Sequence, residues 1–165
     1  FGGINQPQQP KQEMFENILA LELSRQKGAF WVEDESQRIG KLNIPNAFWQ
    51  TMRNSRVFFI DVRFEERLNH IIEGYGSLDT DKMIEAVLRI QKRFGPLETK
   101  TTIAFLQEGN IRDAFAVLLK YYDKQYRKGL ENREEPKPTI TMVLAEAVND
   151  LENASLILNK NNGRD

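Results

Sequence analysis

The sequence predicts an α/β fold that is helix-rich, with a small parallel sheet and a helical insertion. Three observations carry that expectation. "AFWVE" (29–33) and "RVFFIDV" (56–62) are short apolar runs bounded by charge, the pattern of buried strands. Between Phe64 and Tyr122 the apolar residues recur at helical spacing. "TITMVL" (139–144) then offers a third short strand ahead of a last helical pattern. Strand, helix, strand, helical block, strand, helix is α/β order with an insertion. A chain of 165 residues has room for one hydrophobic core. The expectation is therefore a single domain over 1–165, its α/β part at about 1–62 plus 138–165 and its helical part at about 63–135.

In order along the chain, residues 1–10 hold two glycines, two prolines and several amides and read as loop. From Gln12 to Arg25, Met14, Phe15, Ile18, Leu19 and Leu21 mark a helix with one dry face. Gly28 ends it, and strand 29–33 follows. "GKLNIP" is a turn and crossing segment, and Pro45 suits the first turn of a short helix, "NAFWQTMRN". After strand 56–62, Phe64, Leu68, Ile71, Ile72 and Tyr75 define a helix that "GYGSLD" breaks. Asp79 can cap the next helix, with Met83, Val87, Ile90 and Phe94 on one face. "GP" at 95 and 96 punctuates, a helix runs from about Glu98 to Gln107, and Asn110 with Asp113 resembles a capping arrangement for the helix bearing Phe115, Leu118 and Leu119. "ENREEPKP" is a polar loop. The last helix is expected to turn Val148, Leu151, Ala154 and Leu158 inward.

Lys and Arg number 23 against 24 Asp and Glu, so charge alone neither demands nor forbids a polyanionic partner. The chain has no cysteine, which removes disulfides, thiolate metal sites and cysteine nucleophiles from these residues. No run approaches the roughly 18 to 20 apolar residues of a membrane span, and no signal peptide opens the chain, so a cytoplasmic protein with no membrane partner is expected. The chain begins on Phe1 inside a Gly/Gln/Pro-rich stretch, which reads as a fragment. There is no G-x-x-x-x-G-K-[ST], no G-x-G-x-x-G and no H-E-x-x-H.

In α/β folds ligands gather at the carboxyl ends of strands. The first strand exits into Glu33, Asp34, Glu35 and Ser36, followed by Arg38 and Gly40. A hydroxyl, a fork-shaped cation and a backbone open to close approach suit phosphate recognition. Acids that merely pair with Arg38 are the alternative reading. Arg63 and Arg67, four apart after the second strand, project from one helix face toward the same crevice or serve as ordinary surface charge. His70 is the only histidine and a poor metal ligand, and no metal site is expected. "LLKYYDKQYRKG" (118–129) interleaves Tyr121, Tyr122 and Tyr126 with Lys120, Lys124, Arg127 and Lys128, a mixture that suits RNA, although tyrosines also cement helices and these three cannot share one face. Lys92 and Arg93 add positive charge at another helix end.

Taken together, "FGGINQPQQPKQEMFEN", "WVEDESQRIGKLNIP", "MRNSRVFFIDVRFEERL" and "LLKYYDKQY" resemble the carboxyl-terminal part of the P-loop domain of the bacterial tRNA 2-selenouridine synthase family. The resemblance implies a partial P-loop NTPase-like fold. It also implies an enzyme that replaces the sulfur of wobble 2-thiouridine in tRNA with selenium from selenophosphate, through an S-geranylated intermediate made from geranyl diphosphate. Family members carry an amino-terminal rhodanese-like domain with a catalytic cysteine, then a phosphate loop ahead of a Phe-Gly that corresponds to Phe1 and Gly2. Both would be missing partners of this chain, which is expected to be inactive alone. By the same resemblance Glu33, Asp34, Glu35, Ser36, Arg38 and Gly40 line the phosphate site. Gln6 to Gln12, with Gln9 and Gln12 as contacts, form the loop beside it, Arg63 and Arg67 are lid-like cations, and Lys120, Tyr121, Lys124, Tyr126, Arg127 and Lys128 form a tRNA surface. The strand feeding the phosphate loop would lie between 29–33 and 57–62, so those two either pair directly or leave a gap for another chain. Two other readings stay open: a nucleotide kinase-like P-loop fragment and a non-catalytic RNA-binding helical module.

Overall fold

The computed structural model describes residues 4, 7–133 and 138–163. Expectations resting on Phe1, Gly2, Gln6 and the "EEPK" of the polar loop lie outside them. The chain divides into two compact units. The first takes residues up to Arg56 together with Arg133, 138 and 139; the second takes Val57–Asn132 and the chain from Ile140 on.

The first unit opens with α1 (Gln12–Arg25), whose carboxyl end is followed by Gly28. The segment 29–33 is not a strand. It joins no sheet among the described residues, and Phe30, Trp31 and Val32 are 42–54% exposed. An apolar run becomes a strand only where a neighbour offers a hydrogen-bond ladder. "GKLNIP" instead completes a small hairpin, β1 (Arg38–Ile39) antiparallel to β2 (Leu42–Asn43), with Arg38 opposite Asn43. Pro45 leads into α2 (Asn46–Asn54) as expected. The unit buries Leu42, Ile44 and Met52. α1 buries nothing: Met14, Ile18 and Leu21 are half exposed, so its expected dry face is uncovered.

The second unit holds a two-stranded parallel sheet, β3 (Val57–Val62) beside β4 (Ile140–Ala145), registered from Val57 opposite Ile140 to Val62 opposite Ala145. The strand 57–62 thus pairs with 140–145 rather than with 29–33. Four helices are inserted between the two strands: α3 (Phe64–Tyr75), α4 (Thr80–Phe94), α5 (Pro96–Gln107) and α6 (Ile111–Glu131). Their apolar faces meet in one core of Leu68, Met83, Val87, Phe94, Leu106, Phe115, Leu118 and Leu119, each at most 7% exposed. The caps are local. Asp79 accepts from Lys82 N at 3.0 Å, and Asn110 accepts from Asp113 N while its amide donates to the Asp113 carboxylate at 2.6 Å. Gly95, at φ +106°, turns the chain from α4 into α5, which starts at Pro96, two residues earlier than the spacing suggests.

β4 is followed by α7 (Asp150–Asn161), capped by Asn149. Its expected inward face is wrong: α7 has no buried residue, and Leu151 and Leu158 are 82% and 48% exposed. Among the described residues no element covers that stripe, nor the face of β4 that carries Met142 and Leu144, 50% and 76% exposed.

Candidate functional site

The residues singled out in the first unit are held together by backbone recognition. The Gln9 amide donates to Ile39 O and accepts from Lys41 N, both at 2.9 Å, so one side chain spans the hairpin turn. Gln12 repeats the device one residue pair further on, donating to Asn43 O at 2.7 Å and accepting from Asn43 N at 2.9 Å. Gln12 thereby satisfies backbone groups at the edge of β2, and Gln9 those on either side of the turn. Gln37 fixes the other end, donating to Ile44 O and to the Asn46 side chain.

Gly40 sits in the turn at φ +63°, and a Cβ there would collide with the Gln9 amide. Its close approach is to the protein's own glutamine. Gly40→Ala is expected to cost about 2 kcal/mol, about 1 from the left-handed backbone and the rest from dislodging Gln9. Gly28→Ala, at φ +84° with open space around it, should show only the first part. Urea unfolding measures both, and in a Gln9→Ala background the two penalties should become equal.

Within the acidic exit the side chains take different roles. Ser36 Oγ accepts from Arg38 N at 3.2 Å, which leaves its hydroxyl proton as a donor. Arg38 commits Nε to Gly40 O at 2.9 Å, and among the described residues its two terminal nitrogens make no further bond. Both residues are exposed, Ser36 just ahead of the hairpin and Arg38 at its start. Asp34 is not an open carboxylate. It receives a hydrogen bond from Arg133 Nη2 and lies 3.6 Å from Arg53 Nη1. Arg53 also stands over the Trp49 ring at 5.5 Å. Burial lowers the pKa of Arg133. Arg53 and Arg133 escaped the sequence reading because no periodicity links Arg133 to positions 80 and 99 residues away.

Arg63 and Arg67 belong to the second unit and diverge in role. Arg67 donates Nε to Val62 O at 2.9 Å and grips Asp123 with both terminal nitrogens, at 2.5 and 3.0 Å, tying α3 to α6. That hydrogen bonding to Asp123 raises the pKa of Arg67. Arg63 is 75% exposed, with Glu66 at 3.9 Å. His70 is exposed, and no cluster of metal-binding side chains occurs among the described residues.

On α6, Tyr121 packs edge-on against Phe94 at 5.1 Å and Tyr122 at 5.3 Å. Tyr122 and Tyr126 fall on the same side of the helix as Leu118 and Leu119, at i+4 and i+7 from them, but beyond the core, where they are 38% and 42% exposed. Lys120, Lys124, Arg127 and Lys128, spaced i, i+4, i+7 and i+8, form an exposed basic stripe away from that face. No helix among the described residues is long and apolar enough to cross a membrane.

Residues 1–154 match the family model described as the tRNA 2-selenouridine synthase AAA domain. A tRNA 2-selenouridine synthase of Chromohalobacter salexigens is 32% identical over 152 residues, covering 75% of this chain and 42% of the relative. One of Shewanella woodyi is 29% identical over 160 residues, covering 77% and 44%. One of Nitrosomonas europaea is 39% identical over 80 residues, covering 46% and 20%. The chain thus spans less than half the length of these relatives. No solved structure matches it.

Proposed function

The chain belongs to the tRNA 2-selenouridine synthase family, and from that membership we propose that it is part of a tRNA-modifying enzyme that converts wobble 2-thiouridine to 2-selenouridine. Selenophosphate and geranyl diphosphate serve as small substrates and an S-geranylated tRNA as intermediate. The observation that carries this reading is the family match over residues 1–154. The AAA description implies a nucleotide, but no phosphate loop of the G-x-x-x-x-G-K-[ST] type occurs in these 165 residues.

Both small substrates are phosphoryl anions, and the hairpin of the first unit has the donors to meet one. Arg38 supplies the terminal nitrogens of its guanidinium and Ser36 a hydroxyl proton, on a loop already pinned by Gln9, Gln12 and Gln37. Donors fixed before the substrate arrives stabilise developing oxyanion charge without reorganising. Arg63 is a further exposed cation in the other unit, whereas Arg67 is engaged by Asp123. The basic stripe of α6 is the surface for the tRNA backbone. With no cysteine here, the chain relies for nucleophilic chemistry on the amino-terminal segments of the complete protein. A tRNA substrate supports a cytoplasmic location.

The test is to incubate the complete protein with tRNA bearing wobble 2-thiouridine, selenophosphate and geranyl diphosphate, and to weigh the released nucleosides. An S-geranyl nucleoside followed by 2-selenouridine is expected. An unchanged 2-thiouridine, together with salt-sensitive tRNA binding, would leave a non-catalytic RNA-binding module.

A further inference from the structure

Arg133 lies in a segment that reads as polar loop, yet its side chain is 1% exposed. Its Nη1 donates to Arg53 O at 2.6 Å and its Nη2 to Asp34, reaching across 80 and 99 residues of sequence. The cluster is poor as a source of stability. It places two guanidinium groups against one carboxylate, and both Arg133 Nε and Asp34 Oδ1 are buried without a hydrogen-bond partner. Burying ionised groups with orphaned polar atoms costs free energy that an apolar residue in the same space would not. What such a cluster does supply is one fixed position for Asp34. Gln37 is fixed independently, by Ile44 O and Asn46. Ser36 therefore stands on a short stretch anchored on both sides, at Asp34 and at Gln37, and Arg38 follows directly on the second anchor.

We infer that Arg133 is a positioning residue: acting through Asp34 and the Arg53 carbonyl, it holds residues 33–38 in the shape in which Ser36 and Arg38 receive a phosphoryl anion. Asp34 is thereby a brace rather than a ligand. The substrate half of this inference rests on the function proposed above; the bracing half does not.

Arg133→Lys keeps the charge and loses the fork, and Asp34→Asn keeps the shape and loses the charge. In either variant, amide hydrogen exchange at 33–38 should accelerate about tenfold while the α3–α6 core is unchanged, as befits local opening. In the complete protein each variant should raise the KM for selenophosphate about tenfold with kcat within about twofold. The double variant should be no worse than either single one, because the residues act as a unit. Unchanged exchange at 33–38 would overturn the inference. So would additive effects, or a lowered melting temperature with KM untouched, which is the signature of a merely structural contact. If the wild-type protein forms no 2-selenouridine, the proposed function fails, and the exchange measurement alone decides the brace.

Discussion

Exchanging Lys120, Lys124 and Arg127 together for glutamate should weaken tRNA binding about a hundredfold at moderate salt and flatten its salt dependence by about two units of slope. The three residues lie on one exposed stripe of α6, and the residues that hold the helix in place, Phe115, Leu118 and Leu119, lie on another. The exchange should therefore leave the melting temperature within about 2 °C, since surface substitutions usually change stability by less than about 0.5 kcal/mol. Tyr126→Ala is the internal control. Tyr126 is 42% exposed and carries no charge, so where backbone charge dominates its loss should alter tRNA affinity less than about threefold. Filter binding across a salt series checks all of this. An equal loss from Tyr126→Ala and from the triple exchange would mean that base stacking, rather than backbone charge, dominates.

Leu68→Ala should destabilise the second unit by about 3 kcal/mol, because Leu68 is 2% exposed in a close-packed core and its removal leaves a cavity. Leu151→Ala should cost less than about 0.5 kcal/mol. The two leucines look alike in sequence, each the second member of an apolar series at helical spacing. They differ in what lies opposite them. α3 packs against α6 and its neighbours, whereas Leu151 of α7 is 82% exposed. Thermal unfolding measures the contrast: roughly 8 °C for the first and almost nothing for the second. A comparable loss from Leu151→Ala would mean that the face of α7 is covered in solution.

Much of the second unit was legible because its signals are local. Caps at Asp79 and Asn110 and the break at Gly95 act within four residues of themselves, and the 3.6-residue period of α3, α4 and α6 is written in consecutive turns. The same reading missed the candidate site's organisation. Gln9 and Gln12 read as phosphate contacts, and their amides are engaged by the hairpin backbone. Asp34 and Arg67 read as ligand and lid, and each is held by a partner far away in sequence, Arg133 and Asp123. A side chain's chemistry shows what it can bind, and only the fold shows what already binds it.

The sequence by itself determined the helices, the caps at Asp79 and Asn110, the strand-forming runs 56–62 and 139–144 with the helical insertion between them, and the family. Each of these rests on neighbours within a few residues or on the order of blocks along the chain. Tertiary structure alone decided which apolar faces are covered, that 57–62 pairs with 140–145 while 29–33 joins no sheet among the described residues, and which charged groups are already engaged. The physical reason is that ladders, burial and ion pairs are made between segments, and their energy depends on a partner that no single segment specifies.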